Sequence, residues 1–294
     1  MKTILYFVIF LAISSSLVAQ SFNQEIINEQ GKPQLYGKIN FEKLNTAPYD
    51  AWFSANYEAY IPKQDAINTI KTDLLAYTIK VFMGTWCGDS KREVPKFYKV
   101  LNACEFPMNR LTIIAVAADR EHYKQSPGGE EEGLNIHRVP TFILYKNGKE
   151  VNRIVESPKR SIEEDIHDII SGNYVPNYIS VTHINHIIET EGVDNLVNNS
   201  ESLIEKLSTI TESFYELNTY ANVLFFAGKE KEAIEILKLN TLLFPEEADT
   251  YISLANKLFI INNLTDAIAY YESSLKYKKN EKIESKIEEL KKSL

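Results

Sequence analysis

"GTWCGDSKREVP", residues 84–95, sets one cysteine between a glycine turn and a run of helix-forming residues, with Ser90 three places after Cys87. Upstream, "AYTIKVFMGT" (76–85) is β-branched and aromatic and stops at a glycine, as a buried strand does on entering a loop. Downstream, "SKREVPKFYKVLNA" puts Val94, Phe97, Val100 and Leu101 on one helical face, with Pro95 early enough to kink the helix without abolishing it. Cys87 therefore falls at a helix N-terminus, where unpaired backbone N–H groups and the positive end of the helix dipole favour a thiolate. Lys91 and Arg92 add positive charge in the first turn, and Asp89 opposes it.

Working outward, "LTIIAVAAD" (111–119) is a second continuous apolar strand of the kind buried in a parallel sheet. A turn-rich stretch, "KQSPGGEEEG", leads through "IHRVP" to the hairpin "TFILYKNGKEVNRIVE", whose Asn147-Gly148 pair is a two-residue turn signal. "SIEEDIHDIISG" then carries a capping box, Ser161 to Glu164, and a terminal Gly172. Two helical patterns, "DAWFSANYEAYIP" and "KQDAINTIKTDL", precede the first strand. This order predicts an α/β domain over 51–175, a mixed sheet flanked by helices. Residues 20–50, interrupted by Gly31, Pro33, Gly37 and Pro48, read as an N-terminal extension with little structure of its own.

From 180 to 294 the pattern is all-α. Shifting the chain by 34 residues lays Ala221, Asn222, Leu224, Phe225, Ala233 and Ile234 on Ala255, Asn256, Leu258, Phe259, Ala267 and Ile268, the helix-pair period of tetratricopeptide repeats. Ala221 and Ala233 suit close helix packing, Pro245 ends the second helix of the first pair, and Gly228 and Asn262 sit where each pair needs a left-handed turn residue. Residues 180–214 are expected to add a divergent helix pair, and "EKIESKIEELKKSL" a polar capping helix.

The 294 residues, 44% hydrophobic and 24% charged, are enough for two domains. A net charge of −8 and a pI near 5.3 argue against a general electrostatic grip on nucleic acid. "MKTILYFVIFLAISSSLVAQ" has the pattern of a signal peptide, residues 1–19, cleaved after Ala19, which predicts an exported protein, periplasmic or extracellular. Its apolar run, Ile4 to Ile13, falls short of the ~20 residues a span needs, so no stable membrane span is expected after cleavage. Cys87 and Cys104 would lie about 25 Å apart along one helix, too far for a disulfide, and Cys104 reads as a buried apolar side chain. His183 and His186 lack an apparent third metal ligand, so no metal is assigned. Asp119 and Arg120 could form a loop ion pair or simply face solvent. "PGGEEEG" reads as a solvated loop, and Asn198-Asn199-Ser200 and Asn263-Leu264-Thr265 match a glycosylation pattern that is frequent by chance.

The "FMGTWCGDS" turn, the Val139-Pro140-Thr141 step before the Asn-Gly hairpin, and the order of elements resemble the thioredoxin-like superfamily across residues 50–175. The resemblance implies that Cys87 is the attacking thiol, Trp86 its shielding aromatic and Pro140 a cis proline beside the bound peptide backbone. Gly88, Val139 and Thr141 would complete the groove. Two departures stand out: Ser90 occupies the family's second cysteine position, and Val81 occupies its buried acid, six places before Cys87. Ser90 would then donate a hydrogen bond to the Cys87 thiolate. Three readings stay open. Cys87 works alone on protein thiols or disulfides as an oxidoreductase or isomerase, needing an external thiol reductant and no cofactor. Alternatively the domain is a non-catalytic adaptor, joined to repeats that hold a protein or peptide partner. In the third, Ser90 merely caps a helix over a buried Cys87.

Overall fold

The strand that ends at Gly84 alternates its burial. Ile79, Val81 and Met83 join one core and Phe82 the other, so both faces of the sheet are covered. The computed structural model describes residues 22–293; the expected signal segment lies outside them. The strands are β1 (Gln24–Ile27), β2 (Pro33–Ile39), β3 (Tyr77–Met83), β4 (Leu111–Ala115), β5 (Thr141–Lys146) and β6 (Lys149–Val155). They form one mixed sheet in the order β1-β2-β4-β3-β5-β6, with β3 and β4 parallel and the other pairs antiparallel. Asn147 and Gly148 take φ of 53° and 75°, the left-handed pair that a tight β5–β6 hairpin requires.

The larger core lies between the sheet and the helices α1 (Phe41–Leu44), α2 (Asp50–Ala59), α3 (Gln64–Leu74), α4 (Gly88–Ala103) and α5 (Ile162–Ile170). Pro95 is buried inside α4, which runs through it. Phe97 of α4 stacks on Phe142 of β5 at 4.4 Å between ring centres, fixing the helix over the middle of the sheet.

The N-terminal stretch departs from expectation. Residues 24–44 form two strands and a helix turn, and β2 pairs with β4 through Gly37↔Ala115 and Ile39↔Ile113. The alternation that builds β2 (Leu35, Gly37 and Ile39 buried) is masked in the sequence by the glycines and the proline, which read as breaks. Gly37 has φ of 84°, and a Cβ there would come within 2.9 Å of Pro127, so the residue admits a close approach of the 117–139 loop.

The smaller core, Phe82, Ile114, Val116, Ile136, Val139 and Ile143, fills the second face under that loop. On the loop's outer side sits the all-helical repeat domain: α6 (Ile179–Glu191), α7 (Asp194–Asn198), α8 (Ser200–Ser208), α9 (Tyr215–Phe226), α10 (Glu230–Leu243), α11 (Ala248–Ile260), α12 (Leu264–Leu275) and α13 (Glu281–Lys291). The pairs α9/α10 and α11/α12 are the two 34-residue repeats; Ala221, Ala255, Ala233 and Ala267 are all fully buried, and Gly228 and Asn262 take φ of 78° and 61°. The stretch before them is three helices, not a pair.

Arg138 bridges the two units. It pairs with Glu156 at 3.1 Å, lies over the Tyr178 ring and donates to the Tyr215 carbonyl at 3.3 Å. Gln125 Nε2 donates to the Phe226 carbonyl at 2.7 Å, and His137 packs edge-on against Tyr178 and Tyr220. Burial pushes the His137 imidazole down to about 3, and its Nε2 has no partner. The unfolded chain therefore takes up a proton between about pH 6.5 and 3 that the folded chain refuses, so stability falls as pH falls through that window. Thermal melts from pH 7 to 4 should show this slope, and His137→Phe should flatten it; an equal slope in both proteins would show that other groups set it.

Candidate active site

The turn before α4 is folded around its glycine. A Cβ on Gly84 would meet the Trp86 ring at 2.5 Å, so the glycine lets the indole fold back, and Trp86 Nε1 donates to the Val116 carbonyl at 2.9 Å at the end of β4. Thr85, also buried, accepts from Leu35 N of β2 at 3.1 Å, tying the misread N-terminal strand to the thiol turn. Cys87 is the N-cap residue of α4 and partly exposed; Gly88 beside it is exposed, and a side chain there would meet nothing within 4 Å. The sulfur is thus approachable over Gly88, with Trp86 as the flanking wall.

Facing it is the loop before β5. The Val139–Pro140 bond is cis, as the resemblance implies, and Cys87 Sγ donates to the Val139 carbonyl at 3.2 Å. Val139 contributes this carbonyl, while its side chain is buried in the smaller core. Thr141 is placed differently from the groove role expected of it. It is 1% exposed, and its hydroxyl donates to Arg138 O at 2.7 Å, bracing the loop from inside.

Ser90 also departs from expectation. Its side chain is fully buried, and Oγ accepts the Gly84 N–H at 3.1 Å, while the Cys87 sulfur is turned to Val139. The two side chains have separate partners because Gly84 N, released from the end of β3, is a buried donor that needs an acceptor. Arg92 does not serve the thiol either, being held at 2.6 Å by both Asp89 and Glu93. Asp119 pairs with His122 at 2.9 Å, and Arg120 turns to the Phe226 ring instead of its neighbour. His183 faces Lys206 Nζ at 3.5 Å. Cys104, at the far end of α4, is 1% exposed, and burial pushes its thiol up to about 11.

Val81, at the position of the family's buried acid, lies in the larger core and is fully buried. The ionisable group the structure does bring near the thiol is Lys124, which no periodicity or motif singles out. It is 4% exposed; its ammonium donates to the His137 carbonyl at 2.5 Å, two residues before the carbonyl that holds Cys87, and lies 4.6 Å over the Tyr123 ring. Burial first, then repulsion by Arg138, pushes Lys124 down to about 7, against attraction to Cys87 and Glu156. Below about pH 7 it is a cation within electrostatic reach of the sulfur. Lys124→Met should slow Cys87 alkylation at pH 6, where Lys124 is a cation, with the difference fading above pH 8. Equal rates across the range would remove Lys124 from the site.

The thioredoxin family profile matches residues 64–168. Thioredoxin-1 of Schizosaccharomyces pombe is 32% identical over 85 residues, 29% of this chain and 73% of that protein. The putative thioredoxin-5 of Dictyostelium discoideum is 31% identical over 86 residues (29% and 74%), and the thioredoxin of Chlamydia trachomatis 36% over 74 residues (25% and 63%). The chain belongs to the thioredoxin family. For the thioredoxin domain, membership supports thiol–disulfide redox chemistry as the general class of function; these three matches each cover under a third of the chain.

Proposed function

We propose that the chain is an exported monothiol thiol–disulfide oxidoreductase or isomerase whose tetratricopeptide-like repeats recruit its protein substrates. The observation that carries the reading is the placement of Cys87: partly exposed at the start of α4, 3.2 Å from the carbonyl that precedes cis Pro140, with the other cysteine buried at the opposite end of the helix. The Cys87 thiolate attacks one sulfur of a substrate disulfide, forming a mixed disulfide and releasing the second substrate sulfur as a thiolate that takes up a proton. An external thiolate then attacks the Cys87 sulfur and expels the second substrate thiolate, which takes up a proton; a second external thiol breaks the resulting Cys87–external disulfide, so the substrate gains two electrons, Cys87 is restored and the two external thiols leave as their disulfide. Attack by the substrate's own thiol instead leaves it isomerised, with no net electron transfer. Trp86, Gly88 and the Val139–Pro140 backbone line the groove; Val139 O, relieved of the Cys87 proton, becomes free to accept a substrate N–H.

The test is incubation with glutathione disulfide or a scrambled disulfide protein, followed by mass spectrometry. The expected product is an adduct on Cys87, released by added thiol, with Cys104 unmodified. Absence of any adduct on Cys87 would sink the reading. The adaptor reading draws support from Ser90, whose hydroxyl is occupied by Gly84 and gives a bound substrate no route of release within the motif.

A further inference from the structure

Three cations that form no ion pair with a carboxylate among the described residues lie where the helical repeats face the thioredoxin domain. Lys257 of α11 is 6% exposed, yet its ammonium forms no ion pair among the described residues; it lies 4.1 Å over the Phe226 ring and 4.8 Å over Phe225. Arg120, on the loop after β4, covers the same Phe226 ring at 5.8 Å. Lys286 of α13 lies over Phe259 at 4.4 Å and bonds the Asn256 side chain at 3.4 Å. Burial first, then Arg120, depresses Lys257 to about 8; the same two causes lower Lys286, against attraction to Glu289, so Arg120 acts on both lysines. Aromatic faces offset part of the cost of burying an unpaired ammonium, but an anion offsets far more.

Arg120 also stands on the rim of a second feature. With Trp86, Ala118, Asp119 and His122 it lines an open cleft of about 940 Å³ that reaches back to the β1–β2 turn. Arg120 thus links the cleft beside Trp86 to the ring-backed cations of the repeats, while Glu29, Asp119 and Glu121 line the cleft itself.

We propose that the surface formed by Arg120, Lys257 and Lys286 docks an acidic segment, through its Asp or Glu side chains, of the polypeptide that Cys87 engages. Three cations set among rings suit a few carboxylates on an otherwise apolar chain; a nucleic-acid backbone needs a longer basic track. Calling that polypeptide the substrate rests on the thiol-exchange reading, whereas the docking itself does not.

The experiment uses the full chain carrying Cys87→Ser, so that no thiol chemistry contributes. The probes are short fluorescent peptides, acetylated and amidated, rich in Glu or with Gln at the same positions, read by anisotropy. The acidic peptide should bind at least about tenfold tighter than the Gln peptide, a gap of about 1.4 kcal/mol that shrinks with added salt. Lys257→Met and Arg120→Gln should each reduce the gap, and Lys257→Met should melt no lower than its parent, since it removes a buried charge. The proposal is overturned if both peptides bind alike or if the gap survives both substitutions. Failure of the redox reading would show separately, as a lack of adducts on Cys87 in the unsubstituted chain.

Discussion

A Cys87→Ser protein should form no mixed disulfide with any disulfide probe, a complete loss, while its melting temperature stays within a few degrees of the parent. The first half follows from chemistry: Cys104 is buried with its thiol pushed up to about 11, so no second nucleophilic sulfur reaches solvent. The second half follows from geometry. A serine hydroxyl can take over the bond to the Val139 carbonyl, and the site is partly exposed, so the change should cost under about 1 kcal/mol. Mass spectrometry of trapped adducts and a thermal melt settle both. Residual adducts would place a reactive thiol where the structure has none. A fall of about ten degrees or more would make Cys87 a packing residue, with reactivity incidental.

Ser90→Cys should produce the opposite change, an adduct that resolves itself. Residues three apart at a helix start lie close enough for a disulfide, so the introduced thiol can attack the Cys87 mixed disulfide and expel the substrate as a thiol. Release becomes intramolecular, and its rate should rise by orders of magnitude and lose its dependence on external thiol. The protein left behind carries an internal disulfide and is about 2 Da lighter. The substitution also removes the hydroxyl that accepts Gly84 N–H in a fully buried position, which should cost about 1–3 kcal/mol. Faster substrate release from a less stable protein is the expected pair of results. An adduct as long-lived as the parent's would mean that the turn cannot bring the two sulfurs together.

Much of this fold is legible from local pattern, because local pattern is what steric and burial rules act on. The Asn147-Gly148 turn, the left-handed Gly228 and Asn262, and the four buried alanines of the repeats each follow from one requirement at one position. Strand β2 escaped because its alternation includes Gly37, whose reason is a contact with Pro127, ninety residues away in sequence. At the site, the positions of Cys87 and Trp86 could be read because turn and helix start fix them, and cis Pro140 because the family resemblance implies it. The partners of Ser90 and Thr141 could not, since a hydroxyl goes to whichever buried group most needs it; here these are Gly84 N and Arg138 O. Lys124 left no trace in the sequence, because its burial is produced by the helical domain and the loop together.

The cover over the second face of the sheet has a practical consequence for anyone dissecting the chain. That cover is the 117–139 loop, and the loop in turn leans on Tyr178, Tyr215, Tyr220 and Phe226. Cutting after β6 and α5 would appear to free a tidy redox module, but it would strip the aromatic backing from His137 and Arg138, the two residues before the carbonyl holding the thiol. A protease that clips the segment joining the two halves would thus reach the chemistry without touching Cys87.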